Sequence, residues 1–206
     1  PTPTSSSAAS DVYKRQPLSL VIFTLAGGTL LAISANVMNQ VLEVETDKLM
    51  ERTSDRPIVT GELTKTNGII YSISSGLIGF LILYFLVTPL SSFIGLAANI
   101  FYVFIYTLIL KPRTNQNIVI GGASGAAPVL IGWTATGSEL ETGPWVLFLL
   151  VFMWTPAHFW ALSIENKADY KNAEFPMLPI QESYKRTCIF IGIYSCSTVL
   201  ISVSYT

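Results

Sequence analysis

Six stretches of about twenty residues, each nearly free of charge, constrain this chain more than any other feature. A helix rises about 1.5 Å per residue and a bilayer's apolar core is about 30 Å thick, so each stretch is long enough to cross a membrane. The expected spans are 17–42, 66–86, 90–110, 118–136, 145–164 and from 187 to the end. Charged residues make up only 12% of the chain and its mean hydropathy is +0.52, where a soluble domain carries about 25% charge. The fold class expected is all-α, a polytopic transmembrane helical bundle, with no internal repeat. The net charge of −1 supplies no basic field, so nucleic acid is excluded as a partner and the lipid bilayer is the first one.

Charge placement orients the bundle. Ten of the twelve basic residues fall in the loops after the first, third and fifth spans: Lys48, Arg52, Arg56, Lys65, Lys111, Arg113, Lys167, Lys171, Lys185 and Arg186. The turns at Thr88-Pro89 and Gly137–Pro144 have none. The positive-inside rule puts the basic loops in the cytoplasm or a mitochondrial matrix. With no transit peptide in view, a bacterial inner membrane is the expected location. The other two basic residues, Lys14 and Arg15, lie in the Ser-, Thr- and Pro-rich segment 1–16, which reads as a disordered or cloning-derived head. Residues 17–206 read as one transmembrane domain, truncated at both ends. Cys188 and Cys196 lie in the last apolar run and suggest packed or lipid-facing side chains.

The basic loops are also where the chemistry gathers. Between Asn39 and Lys65 there are six carboxylates and four basic residues. Asn39, Glu43 and Asp47 are spaced i, i+4, i+8, so a helix presents them on one face at the mouth of the first span. Glu43 and Asp47 suit a hard divalent cation such as Mg²⁺, which takes carboxylate oxygens and shares its shell with water and phosphate; Asn39 can add an amide oxygen. Arg52 and Arg56 can clamp phosphate oxygens. Glu45 points away from Glu43, toward solvent or a basic neighbour, and Glu51 and Asp55 read as arginine partners. The bland reading is a solvated amphipathic helix, but the acidic i, i+4 pairs Asp47–Glu51 and Glu51–Asp55 would destabilise a bare one.

The second loop carries Lys111 and Arg113, either membrane anchors or phosphate contacts, ahead of a Gly121-Gly122-Ala-Ser-Gly125 run that permits close helix contact or a cavity wall. The run lacks the Gly-Lys-Ser/Thr ending of a phosphate-binding P-loop. The third stretch, Trp154 to Pro179, holds the single histidine, His158, within a span. This is a functional candidate or a packed, hydrogen-bonded side chain. Pro156 beside it would open space in the helix. Beyond the span lie Glu165, Lys167, Asp169, Tyr170 and Lys171, with Asp169 a further potential cation ligand. Two acidic clusters at one membrane face fit a Mg²⁺-bridged diphosphate whose apolar tail lies in the bundle. The matching chemistry is ionisation of an allylic C–O bond, with departing diphosphate stabilised by cations and water excluded.

These residues resemble the UbiA-type intramembrane prenyltransferases, and among them the branch acting on protohaem. The resemblance runs from Pro17 to about Arg186. Its carriers are Asn39-x₃-Glu43-x₃-Asp47 with LMERTSDRPIVTGEL, the block RTNQNIVIGG from Arg113, WTPAHFWALSI, Asp169-Tyr170 and Pro176-Met-Leu-Pro179. It implies transfer of farnesyl from farnesyl diphosphate to a vinyl group of haem b, giving haem O. It further implies Mg²⁺ on Asn39, Glu43, Asp47 and Asp169, and diphosphate on Arg52, Arg56, Lys111 and Arg113. Lys167 is a further expected diphosphate contact, His158 a candidate haem contact, and haem A synthase or oxidase assembly proteins are expected partners. Three departures stand out. Glu43 replaces the usual Asp. Position 173, four after Asp169, is Ala. The family's Tyr-x₃-Lys appears as Tyr106-x₄-Lys111. About six of the family's roughly nine helices are readable. The rival readings are a UbiA-type enzyme acting on a quinone precursor or a chlorophyll-like ring, and a transporter, which would show paired broken helices in two similar halves.

Overall fold

The computed structural model describes residues 16–205; the head assigned to 1–16 thus lies almost wholly outside the described residues. Six helices are long and apolar enough to cross a membrane: α1 (Leu18–Leu42), α2 (Lys65–Leu86), α3 (Pro89–Leu110), α4 (Asn117–Ala135), α5 (Thr142–Glu165) and α6 (Tyr184–Tyr205). There is no strand among the described residues. Each span lies where hydropathy puts it. Boundaries move only where local chemistry starts a helix early: Pro144 sits in the first turn of α5, and Ser183 accepts the Arg186 N–H ahead of α6. Thr64 and Thr88 cap α2 and α3 by accepting the amides of Asn67 and Ser91.

Within lipid the hydrophobic effect does not drive helices together, so small residues and hydrogen bonds do it. The α1–α2 pair shows both. A Cβ on Gly79 would lie 2.8 Å from the Gly27 carbonyl oxygen, so the two backbones touch. Ser72 Oγ donates to the Ser34 carbonyl at 2.7 Å, and Asn99 Nδ2 of α3 donates to the Leu31 carbonyl at 2.9 Å. At the opposite end Ser91 and Thr134 join α3 to α4 through their hydroxyls, 2.8 Å apart.

The second half of α3, Phe101–Leu110, is π-wound. The Lys111 amide donates to the Tyr106 carbonyl at 2.9 Å, five residues back. The winding absorbs the extra residue between Tyr106 and Lys111, and brings the pair to the one-turn separation that a three-residue spacing gives in an α-helix.

The basic loops fold over one end of the bundle as a cap. Trp160 of α5 is 1% exposed and packs with Met50, Ile118, Ala173, Phe175, Met177 and Leu178. The Trp160 and Pro176–Pro179 motifs therefore build the cap's apolar core. Phe190 and Tyr194 of α6 meet the Trp160 indole edge-on.

Candidate active site

The α-helical run of α1 stops at Leu42, and Glu43 adopts φ −100°, ψ 13° before a short helix, Val44–Asp47. The i, i+4 bonds nonetheless continue: Glu43 N–H donates to the Asn39 carbonyl at 2.9 Å and Asp47 N–H to the Glu43 carbonyl at 2.8 Å. Asn39, Glu43 and Asp47 thus keep the common face expected of them. That face is buried against α3 and the cap rather than solvated, with Asp47 0% exposed.

Each of the three meets a partner from elsewhere. Asn39 Nδ2 donates to Thr107 Oγ1 at 3.2 Å. Lys111 Nζ donates to Glu43 Oε2 at 2.5 Å and lies 4.6 Å from the centre of the Phe175 ring. Arg56 Nη1 donates to Asp47 Oδ2 at 2.6 Å, the intervening chain reversing through the short helix Glu51–Thr53. The Thr53 hydroxyl fixes that reversal by donating to the Asp47 carbonyl at 2.9 Å. Glu43 Oε1 and Asp47 Oδ1 are buried with no hydrogen-bond partner. A buried acceptor left without a donor costs about 1–3 kcal/mol, more when it is charged. Two such oxygens beside an amide are a donor set that fits a hard cation.

Asp169 is placed differently from the expectation. Its Oδ1 and Oδ2 accept the backbone N–H groups of Glu51 and Arg52 at 3.0 and 3.1 Å. Among the described residues no three His, Cys, Asp or Glu side chains come together as a metal site. The expected four-ligand constellation with Asp169 is therefore not assembled: its carboxylate pins the first loop to the third. The Asp55 and Glu51 pairings with arginine also fail, since Arg56 goes to Asp47 and no described ion pair includes either acid. Glu45 does face outward, where a hydrogen bond from Lys48 at 2.9 Å, with Lys65 further off, holds its carboxyl below the usual range.

The remaining basic candidates sit at the rim. Arg52 is exposed; Arg113 Nη1 donates to the Leu108 and Ile109 carbonyls at the end of α3; Lys167 is exposed on the helix Lys167–Asn172. His158 is exposed on α5, stacked on Trp154 with ring centres 4.4 Å apart.

Inside the bundle a cavity of about 310 Å³ runs between α1, α3, α4 and α5. Its walls are mostly small residues, among them Gly28, Ala35, Gly95 and Gly125, and Tyr102 and Tyr106 belong to its lining. The glycine run of α4 serves both purposes foreseen for it. Gly121 packs against the Tyr106 ring, while Gly125 opens onto the cavity with nothing within 4 Å of an added Cβ. Tyr102 and Thr107 were missed by sequence reasoning; the extra residue before Lys111 was the signal that could have found them.

The profile of the UbiA prenyltransferase family matches residues 2–206. The chain belongs to the UbiA prenyltransferase family. A UbiA bundle of this kind is an integral membrane protein, as the six apolar helices require. Curated relatives include protoheme IX farnesyltransferase 1 of Saccharopolyspora erythraea, 43% identical over 180 residues (87% of this chain, 58% of that protein). The protoheme IX farnesyltransferase of Paenarthrobacter aurescens is 44% identical over 186 residues (90% and 58%), and that of Nitrosococcus oceani 41% over 187 (91% and 62%). The chain spans about three-fifths of the length of these relatives. No solved structure matches it.

Proposed function

We propose that the protein of which this chain is part transfers the farnesyl group of farnesyl diphosphate to a vinyl group of haem b, giving haem O, in a bacterial cytoplasmic membrane. The observation that carries the reading is the junction of two unlike environments. Tyr102 and Tyr106 are shared between an apolar cavity walled by small residues and the buried Asn39–Glu43–Asp47 face beside them, with its half-buried partners Lys111 and Arg56. A prenyl diphosphate has that same division into a hydrocarbon chain and a polyanion. The acceptor is inferred from the relatives, whose names specify protohaem and farnesyl.

Lys111 and Arg56 would turn from their carboxylates to phosphate oxygens, with the exposed Arg52 and Lys167 at the rim. Glu43 and Asp47, with Asn39, would hold Mg²⁺, which when bound supplies charge neutralisation of the leaving diphosphate. The Trp160 core and the Asp169 clamp keep the cap closed, so that water stays away from the allylic carbon as its C1–O bond breaks with the electron pair leaving on diphosphate. The vinyl π electrons form the new C–C bond. The cation left beside the macrocycle then takes OH from one water and releases a proton, so farnesyl diphosphate, haem b and water balance haem O and diphosphate.

Incubation of the protein with haem b, labelled farnesyl diphosphate and Mg²⁺, followed by pigment analysis, tests the reading. Labelled haem O is expected. Label on an aromatic acid acceptor, with none on haem, would overturn it in favour of quinone-precursor prenylation. Asp47→Asn is expected to abolish turnover; full Mg²⁺-dependent turnover in that variant would remove Asp47 from the site.

A further inference from the structure

We propose that Thr107, on the π-wound half of α3, is a positioning residue that sets which end of the Asn39 amide faces the cation. The inference rests on reading Asn39, Glu43 and Asp47 as a divalent-cation site, and it assigns a role to a residue outside that set.

Thr107 is 4% exposed and its Oγ1 lies 3.0 Å from the Tyr102 carbonyl oxygen, five residues back along the π-helix. A hydroxyl has one proton. With that proton committed to Tyr102, Thr107 Oγ1 offers only lone pairs to α1. Asn39, also 4% exposed, must therefore turn its NH₂ end to Thr107, as the 3.2 Å contact shows. Its Oδ1 is left as the acceptor end of the amide. One turn on, Glu43 Oε1 is buried without a donor, and a further turn on so is Asp47 Oδ1. Acceptor oxygens thus recur one turn apart along one helix face, and an amide rotated by half a turn would replace the first with a donor.

The winding is part of the device. In an α-helix a threonine hydroxyl bonds the carbonyl three or four residues back. Here it reaches Tyr102 instead, and the oxygen meets Asn39 at the same time. The extra residue between Tyr106 and Lys111 therefore sets both the Lys111 pairing and the Asn39 amide.

Groups that orient a metal ligand typically account for roughly 10–100-fold in affinity. The test is Mn²⁺ binding to the purified full chain in detergent, read by electron paramagnetic resonance of the free ion with inorganic pyrophosphate present; Mn²⁺ shares the preference of Mg²⁺ for octahedral oxygen. Thr107→Val, which keeps shape and removes the hydroxyl, is expected to weaken binding roughly 10–100-fold, and Thr107→Ser to restore it. Circular dichroism checks helicity; Thr107→Ala replaces the valine variant if that one does not fold. Wild-type affinity in the valine or alanine variant overturns the proposal, as does a serine variant as weak as valine. If the unaltered protein binds no Mn²⁺ with pyrophosphate, the cation site itself falls and Thr107's role with it.

Discussion

Lys111→Met probes the most consequential contact in the molecule. Lys111 and Glu43 form an ion pair at 2.5 Å with side chains 12% and 7% exposed, and the ammonium also lies over Phe175. Removing one partner of a buried pair strands the other charge and costs about 3–5 kcal/mol; the lost cation–π contact adds about 0.5–2 kcal/mol. Glu43 has little to fall back on, because Oε1 already lacks a donor. For a chain of this length each kcal/mol moves the melting temperature by about 2–4 °C, so the combined loss should lower melting by roughly 7–28 °C. Glu43→Gln should cost a similar amount for the mirror-image reason. The double variant carries neither charge and should recover about 2–3 kcal/mol relative to the sum of the singles. Melting in detergent, followed by intrinsic tryptophan fluorescence, provides the cycle. Additivity within about 0.5 kcal/mol would refute the pairing. Turnover should stay lost in the double variant although stability returns, because phosphate then lacks the Lys111 ammonium.

Three further outcomes follow from the geometry. Asp169→Asn weakens two charge-assisted bonds to the Glu51 and Arg52 amides; a local loss of about 1.5–3 kcal/mol should speed hydrogen exchange at those amides roughly 10–150-fold. Unchanged exchange would remove the clamp. Gly125→Leu meets no protein atom within 4 Å of its Cβ and projects into the cavity, so preference should move from farnesyl toward geranyl diphosphate by about tenfold or more in competing-substrate assays. His158→Ala, on an exposed side chain stacked on Trp154, should lower haem affinity if the ring contacts the macrocycle; unchanged affinity and turnover would withdraw that contact.

Hydropathy and loop charge made the six spans, and the end at which the site lies, legible before any coordinates. The acidic face of α1 was legible too, because i, i+4 spacing survives the break at Glu43. The partners were harder to read for reasons specific to each. Arg56 finds Asp47 only after a chain reversal stabilised by Thr53, and nothing local distinguishes Asp47 from Asp55 as its target. The π-helix lies in FYVFIYTLIL, apolar at nearly every position, so hydrophobic periodicity carries no mark of its winding. Asp169 resembled a metal ligand because its residue type was right. Its occupation by two backbone amides depends on where a loop more than a hundred residues earlier comes to rest. The Trp160 and Pro176–Pro179 motifs carried part of the family resemblance, and their packing shows that they also hold the cap together.

The charge arithmetic of the candidate site explains how a cluster of this kind can exist inside the protein and how it would exchange its internal partners for ions. Glu43 and Asp47 carry two negative charges, Lys111 and Arg56 two positive ones, so the constellation is neutral. Isolated buried charges would cost several kcal/mol each, and two hydrogen-bonded pairs avoid most of that. A cation and a polyanion entering together let the carboxylates turn to one and the bases to the other, with little change in the net charge held inside the protein. Either ion alone would leave the partner set uncompensated. Cation and diphosphate should therefore bind cooperatively, each tightening the other by the same factor. Pyrophosphate affinity measured calorimetrically should rise with Mg²⁺ to the same degree that Mg²⁺ affinity rises with pyrophosphate, beyond what their association in solution accounts for. In Glu43→Gln, where one carboxylate no longer balances its base, that coupling should shrink. Independent binding of the two ions in the unaltered protein would show that the neutral cluster is only a structural clasp.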